Sequence, residues 1–146
     1  MRAVYLHRDL TEPAIPRQVV EHCVDTLGSV DILVNSAGVS RNKRIAEYGR
    51  TEWDPMVAVN LTAAFEMSTE AARRFIEQRS GKIINICSLY SFLGGRMSPA
   101  YAATKHGMVG LTRALCDELG EYNVQLNGIA PGYFETKLVQ ETMSDP

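Results

Sequence analysis

The sequence is poor in the residues that build metal sites and disulfide frameworks. It contains three histidines and three cysteines in 146 residues, and Cys23, Cys87 and Cys116 form no Cys-x-x-Cys pair. An odd number of widely separated cysteines argues against a disulfide framework and against a zinc site. We therefore predict no metal site, and we interpret all three thiols as small, buried apolar side chains.

A surplus of charge and a long apolar segment are also lacking. The sequence has 15 Lys and Arg residues against 17 Asp and Glu residues, a net charge of −2, so its charge does not favour a nucleic-acid partner. Its apolar runs fall far short of the roughly 18 residues that a membrane span requires. Polar residues interrupt the amino-terminal segment, which argues against a signal peptide. We expect a cytoplasmic protein that binds neither nucleic acid nor membrane.

The hydrophobic pattern predicts one α/β domain over residues 1–146. With 45% hydrophobic and 22% charged residues, the composition is typical of a globular protein. Short apolar runs alternate with long amphipathic segments, which favours a doubly wound parallel sheet with right-handed crossovers. The predicted strands are 3–8, 31–34, 82–87 and 123–129, and the predicted helices are 13–27, 52–79 and 100–119.

The ends of these elements carry sequence signals of their own. Gly28 and Gly120 follow the first and last helices, and glycine commonly ends a helix. The segment from Thr51 to Asp54 resembles a capping box at the start of the middle helix. The runs 31–34 and 82–87 are continuously apolar, which predicts strands buried on both faces. Ligands of such sheets bind beyond the carboxyl ends of the strands, so we expect the functional residues there.

Tyr101 and Lys105 are the first candidates for chemistry. They are four residues apart, which places them on one face of the predicted helix. An ammonium one turn away and the positive end of a helix both favour a phenolate, so we predict that the pKa of Tyr101 is lowered. Such a tyrosine can act as acid and base on an alcohol or carbonyl oxygen. The alternative is an ordinary pair of side chains on a helix surface.

Ser88 and Asn60 occupy positions from which they can assist. Ser88 follows a predicted strand, and its hydroxyl either stabilises charge on a substrate oxygen or binds the nearby backbone. Asn60 lies in the apolar segment VAVNLTAAF, where a buried amide needs a partner. It either holds a water that links Lys105 to solvent or makes a structural bond to a neighbouring loop.

Together with the turn Asn35-x-Ala37-Gly38 and the pair Pro131-Gly132, these residues resemble, in order and spacing, the classical short-chain dehydrogenase/reductase family. Segments around them match as well, among them DILVNSAGVS, AYAATKHGMVGLTRALCDELG and NGIAPGYFET. The similarity extends over essentially the whole chain. It implies a Rossmann-like fold and an oxidoreductase that uses NAD or NADP to interconvert a secondary alcohol and a ketone.

The resemblance implies catalytic and cofactor roles. Tyr101 would be the acid/base, and Lys105 would hold the nicotinamide ribose and lower the pKa of the tyrosine. Ser88 would polarise the substrate oxygen, and Asn60 would hold a water of a proton relay. The cofactor contacts implied by the family are Asp9, Asn35, Ala37, Gly38, Tyr101, Lys105, Pro131, Gly132 and Thr136.

The substrate is less well defined by the sequence. The segment SLYSFLGGRMSPAY loosely resembles family members that act on sugar acids and polyols, such as gluconate and deoxygluconate dehydrogenases. Ser88, Tyr90, Arg96 and Tyr133 are the candidates for substrate contacts, with Arg96 facing a carboxylate. The alternatives are a solvated loop arginine and tyrosines that only pack.

Parts of the family pattern have no counterpart in the sequence. No Gly-x-x-x-Gly-x-Gly turn occurs, and the first glycine is Gly28. The family's first two strands, one of which selects NAD or NADP, and its last strand are also lacking. We therefore expect three contiguous strands, 31–34, 82–87 and 123–129, with unpaired outer edges. A truncated, non-catalytic remnant or interaction module is the alternative function, and epimerisation or dehydration with the same tyrosine and lysine is a third.

The helices 52–79 and 100–119 have apolar or small residues over much of their circumference. A helix that is wet on one side rarely has such a surface. In the family these two helices form a four-helix interface. We therefore expect a homodimer or homotetramer.

Overall fold

A computed structural model of the chain describes residues 2–134. The longer elements are α1 (Ile15–Leu27), β1 (Ile32–Asn35), α2 (Arg50–Val57), a π-helical turn (Ala58–Thr62), α3 (Ala63–Gln78), β2 (Gly81–Ile86), α4 (Pro99–Leu119) and β3 (Val124–Ile129). Short 3₁₀ turns occupy Ile45–Glu47, Leu89–Ser91 and Gly120–Tyr122. The alternation of strands and helices confirms the predicted α/β class. Within residues 2–134, no helix is both long and apolar enough to cross a bilayer.

The three strands form a parallel sheet in the order β1-β2-β3. Ile32 of β1 pairs with Lys82 of β2, and Gly81 of β2 pairs with Val124 of β3. The predicted contiguity of these strands is confirmed. The predicted strand at 3–8 is wrong, because this segment does not join the sheet and therefore lacks the ladder of hydrogen bonds that makes a strand.

The helices pack on one face of the sheet. Val20 of α1, Phe75 of α3 and Leu119 of α4 share a buried cluster with Ile83 of β2. Side chains alternate between the faces of a sheet, and on the opposite face Ile32 and Val34 remain 56% and 52% exposed. The prediction of strands buried on both faces is wrong for the described residues, because no described helix covers the second face.

Helix ends follow the sequence signals in part. Gly28 ends α1 with a φ of 95°, and its N–H donates to the Val24 carbonyl at 2.8 Å, as predicted. Gly120 keeps a right-handed conformation, and the chain leaves the helical region only at Asn123, with a φ of 60°.

The start of α2 differs from the prediction. The helix begins at Arg50, and the Gly49 N–H donates to Glu52 Oε2 at 3.0 Å. The predicted capping box of Thr51 and Asp54 is therefore wrong by two residues. Glu52 prevails because its carboxylate also binds Lys43 Nζ at 3.0 Å, a tertiary contact that local spacing does not reveal.

The cysteines differ in environment. All three thiols are free; Cys87 is buried, Cys23 is half-buried and Cys116 is exposed. The interpretation of the thiols as buried side chains is therefore wrong for Cys116, which lies on the solvent side of α4.

Candidate active site

Most of the predicted site residues gather at the carboxyl edge of the sheet. Ser36 follows β1, Ser88 follows β2 and Pro131 lies just beyond β3. Because the strands are parallel, these three segments meet at the same edge. Tyr101 lies in the first turn of α4, and the 3₁₀ turn Leu89–Ser91 places Tyr90 against it.

Burial dominates the environment of Tyr101. Burial raises the pKa of its phenol, and the nearby Ser88 hydroxyl has a weaker, opposite effect on this pKa. The predicted lowering of the Tyr101 pKa is therefore wrong for this structure. The reason is geometric, since Lys105 Nζ lies 5.6 Å from the centre of the tyrosine ring and donates to the Ile86 carbonyl at 2.6 Å.

Lys105 lies on α4, and its buried ammonium reaches the last residue of β2, Ile86. Burial lowers its pKa. The backbone around Lys105 is tied to the turn after β2, because Ser91 Oγ donates to the Lys105 carbonyl at 2.8 Å and accepts from the Ser88 N–H at 3.2 Å. An ammonium has three N–H donors, and among the described residues Ile86 takes one, so two are free for a ligand.

Ser88 binds the nearby backbone, which was the structural role considered for it as an alternative to catalysis. Its Oγ accepts the Tyr90 N–H at 3.2 Å, at the start of the 3₁₀ turn. A hydroxyl also has one proton to donate and a second lone pair. The structural bond therefore leaves the hydroxyl able to donate to a substrate oxygen.

Asn60 lies in the π-helical turn, and its side chain makes a structural bond to a neighbouring loop, which was the alternative considered for it. Its Oδ1 accepts the Val39 N–H and its Nδ2 donates to the Val39 carbonyl, both at 2.8 Å. A π-helical turn inserts one extra residue and often occurs at a functional site. Here Asn60, in the π-helical turn, anchors the backbone of Val39, the residue after Gly38. A Cβ added at Gly38 would lie 3.5 Å from Asn60 Oδ1.

Asn35 lies in the interface between the sheet and the helices. Its Nδ2 donates to Asn85 Oδ1 at 2.8 Å and to Ser68 Oγ at 2.9 Å. Asn85 in turn donates to Thr112 Oγ1 at 2.9 Å. The Asn35 amide is thus directed into this network, whereas the following Ala37 and Gly38 are exposed.

Three polar residues of the site were missed by the sequence analysis: Asn85, Ser91 and Thr104, all buried. Asn85 interrupts the apolar strand KIINIC, the same signal that singled out Asn60, and it could have been found. Ser91 and Thr104 bind backbone carbonyls of α4. Serine and threonine often do so, so nothing distinguishes these two in the sequence.

A small cleft lies beside the turn after β1. Its volume is about 70 Å³, and Val34, Ser36 and Ala37 line it together with Leu10 and Val59. Leu10 directly follows Asp9, which is exposed. Asp9 Oδ1 accepts the Thr11 N–H at 2.9 Å and the Thr11 hydroxyl at 2.8 Å, and these bonds lower its pKa.

The remaining candidates lie at the rim. Pro131 is half-buried, while Gly132 and Tyr133 are exposed. The hydroxyls of Tyr90 and Tyr133 are 3.2 Å apart. Arg96 is exposed in the loop before α4, and Thr136 lies outside the described residues.

A sequence model of the short chain dehydrogenase family matches residues 1–146. The chain belongs to this family. It is 54% identical over 142 residues to the uncharacterized oxidoreductase YgcW of Escherichia coli K12, covering 97% of this chain and 54% of the relative. It is 44% identical over 126 residues to the 5-keto-D-gluconate 5-reductase of the same strain, covering 86% and 50%. The chain therefore spans about half the length of these curated relatives.

A solved short-chain dehydrogenase has the same fold. The gluconate 5-dehydrogenase of Burkholderia cenocepacia J2315, crystallised with NADP and tartrate, superposes with a TM-score of 0.90 at 38% identity. The match covers 94% of this chain and 54% of that one. The Rossmann-like fold and the resemblance to gluconate dehydrogenases are thereby confirmed.

The described residues at this edge of the sheet include groups on which a polar ligand can bind. Lys105 has two N–H donors that no described residue accepts, close to Tyr101. Ala37 and Gly38 present a small, exposed turn on which a ligand can approach the backbone. For the pyrophosphate, the sequence contains no glycine-rich turn of the family type.

Proposed function

We propose that the protein is an NAD(P)-dependent oxidoreductase that interconverts a secondary alcohol and a ketone of a sugar acid or polyol. The observation that carries this proposal is the placement of Tyr101 at the start of α4, beside the turn that holds Ser88 and Tyr90, with the Lys105 ammonium buried one helical turn away and 5.6 Å from the centre of the Tyr101 ring. The named relatives support the substrate class, because one is a 5-keto-D-gluconate 5-reductase and another a gluconate 5-dehydrogenase with bound NADP.

The proton chemistry is assigned to Tyr101. A bound nicotinamide supplies or accepts the hydride. Because burial raises the pKa of Tyr101, the phenol keeps its proton at neutral pH and can donate it to a carbonyl oxygen as the alcohol forms. Ser88 donates a hydrogen bond to the same oxygen and stabilises its developing charge.

The other residues bind or position. Lys105 directs its free N–H donors at ribose hydroxyls, and Ala37, Gly38, Pro131 and Gly132 border the cofactor. The remaining proposed cofactor contacts are Asp9, Asn35 and Thr136. Asn35 would contribute by positioning the turn that follows it. Asn60 fixes that turn through Val39 and supports the water of the proposed proton relay. Tyr90, Arg96 and Tyr133 are the proposed substrate contacts.

Replacing Tyr101 by phenylalanine tests the assignment. The ring and its packing remain, but the acid is lost, so we expect turnover of 5-keto-D-gluconate with NADPH to fall by about 10²-fold or more. NADPH affinity, measured by its fluorescence, should change by less than about twofold, because no cofactor charge is removed. Tyr5→Phe is the matched control, since Tyr5 is 85% exposed. Turnover retained in Tyr101→Phe would refute the role.

The second candidate function is a non-catalytic remnant or interaction module of the same fold. The sequence given contains no glycine-rich turn of the family type, and a module without that turn would lack the usual binding site for the pyrophosphate at a helix N-terminus. The NADPH titration separates the two candidates, since such a module leaves NADPH fluorescence unchanged. Epimerisation or dehydration, in contrast, would consume substrate without a net change in nicotinamide absorbance.

We also propose that the protein self-associates through the helices 52–79 and 100–119 and that it resides in the cytoplasm. Phe65 on α3 is 48% exposed, and Gly110 and Ala114 leave part of α4 exposed and free of large side chains. Light scattering over a range of micromolar concentrations tests the first proposal, and a strictly monomeric mass contradicts it. Cell fractionation tests the second.

A further inference from the structure

Three phenols meet at the rim of the proposed active site. Tyr90 and Tyr133 place their hydroxyls 3.2 Å apart. The Tyr90 ring meets the Tyr101 ring edge to face, with centroids 5.8 Å apart and planes at 82°. Tyr90 follows β2 and Tyr133 follows β3, so the pair joins two neighbouring segments beside the proposed acid. We propose that the Tyr90–Tyr133 hydroxyl pair binds a substrate hydroxyl other than the one that reacts, and so selects polyhydroxylated substrates.

Tyr90 is firmly positioned for this role. Its N–H donates to Ser88 Oγ at 3.2 Å. The loop after the 3₁₀ turn packs closely on its ring, because a Cβ at Gly95 would lie 3.2 Å from Tyr90 Cε2. With its backbone bonded to Ser88 and its ring beside Gly95 and Tyr101, Tyr90 holds its hydroxyl in a defined place relative to Tyr101.

The pair has unused hydrogen-bonding capacity. One phenol donates its proton to the other, so one of the two O–H protons remains free. Each oxygen also keeps at least one free lone pair. Tyr133 is 66% exposed, so a ligand can reach the pair. The hydrogen bond with Tyr133 is the largest cause that raises the pKa of Tyr90, which keeps this phenol neutral.

The chemistry of the pair matches an alcohol group. A ligand hydroxyl both donates and accepts, and so it satisfies the free proton and the free lone pair together. A carboxylate can only accept, and it would leave the lone pairs of the phenols unused. The inference rests on the proposed function and names a specificity element of the same site. The competing explanation is a purely structural latch between the two segments.

Binding can be followed without turnover. In protein labelled with ¹³C at tyrosine Cζ, the chemical shift reports the hydrogen bonding of each phenol, and Tyr90→Phe and Tyr133→Phe assign two of the resonances. D-gluconate is titrated with and without NADP⁺. We expect the Tyr90 and Tyr133 resonances to shift saturably in the unmodified protein. We expect the dissociation constant to rise about 5-fold to 10-fold in Tyr133→Phe, as the loss of one hydrogen bond predicts.

Two controls make the result specific. Tyr5→Phe should leave the gluconate affinity within about twofold, because Tyr5 is 85% exposed. Cyclohexanol, which has no second hydroxyl, should bind the unmodified protein and Tyr133→Phe equally. Equal gluconate affinity in Tyr133→Phe and the unmodified protein, or resonances that do not move, would overturn the inference and leave the latch.

The two proposals fail in different ways. If the protein shows no turnover but gluconate moves the two resonances with the expected loss in Tyr133→Phe, the oxidoreductase function fails and hydroxyl recognition stands. If turnover is seen and Tyr133→Phe has the same KM as the unmodified protein for 5-keto-D-gluconate, the function stands and the inference fails.

Discussion

Tyr48 is a phenol whose hydroxyl is buried and has no hydrogen-bond partner among the described residues. Burial raises its pKa. A buried polar group without a partner costs stability. We therefore expect Tyr48→Phe, which keeps the ring, to leave the free energy of unfolding unchanged or to raise it by up to about 1 kcal/mol. Urea denaturation beside Tyr5→Phe measures this, and a loss above about 1 kcal/mol would show that the hydroxyl has a partner.

Lys105 makes the stability of the protein depend on pH. Burial lowers its pKa in the folded state, while the unfolded chain keeps the ordinary value of 10.5. Between the two values the unfolded state binds more protons, so stability rises with pH across that window. In Lys105→Met this contribution is absent. We therefore expect the unmodified protein to gain stability relative to the variant as the pH rises from the lowered pKa of the folded state towards the ordinary value of 10.5.

Denaturant unfolding of both proteins at several pH values provides the measurement. A stability difference that stays constant across the range, or that moves in favour of Lys105→Met as pH rises, would contradict the prediction. The variant is chosen because methionine is unbranched, uncharged and only one heavy atom shorter than lysine.

At the level of elements, the start of β2 depends on glycine. A Cβ at Gly81 would overlap the ring of Phe75, which is fully buried. Because such overpacking strains a core, we expect Gly81→Ala to lower the free energy of unfolding by about 1–3 kcal/mol. Urea denaturation checks the value, and a variant as stable as the unmodified protein would show that α3 can shift away from β2.

Gly120→Ala is the matched control for Gly81→Ala. Gly120 has a right-handed φ of −58°, and a Cβ there would meet nothing within 4 Å. Alanine restricts the unfolded chain without straining the folded one, so we expect a gain of about 0.4–1 kcal/mol.

Element boundaries were predictable where local signals decide them. α1, α4 and the three strands begin and end within a few residues of the prediction. The π-helical turn at Ala58–Thr62 was not predicted. Its only sequence mark is Asn60, and the partner of Asn60 is the backbone of Val39, which only the folded chain brings close.

At the level of the whole molecule, the sheet has an apolar face that no described helix covers, and within residues 2–134 its outer strands β1 and β3 each pair on one side only. Ile32 lies on that face in the outer strand β1. Unpaired apolar edges promote self-association. We therefore expect the 146-residue polypeptide, produced alone, to aggregate, and we expect Ile32→Lys to reduce its light scattering severalfold.

Ile45→Lys serves as the control, because Ile45 is 76% exposed, more than Ile32 at 56%, and lies in a 3₁₀ turn outside the sheet. Equal scattering by the two variants would show that net charge, not the sheet, governs association. A monomeric 146-residue polypeptide with a sharp, cooperative melt would contradict the whole prediction.

The sequence by itself indicated the family through the resemblance of its motifs, and it predicted the order of the elements from residue 13 to residue 129. The order of the elements follows from hydrophobic periodicity, which acts along the chain. Only the tertiary structure decided how each side chain is used. It directs Asn35 into the Asn85 network, binds Lys105 to the Ile86 carbonyl and buries Tyr101 enough to raise its pKa. Hydrogen-bond partners and burial depend on atoms distant in sequence, and spacing along the chain does not specify them.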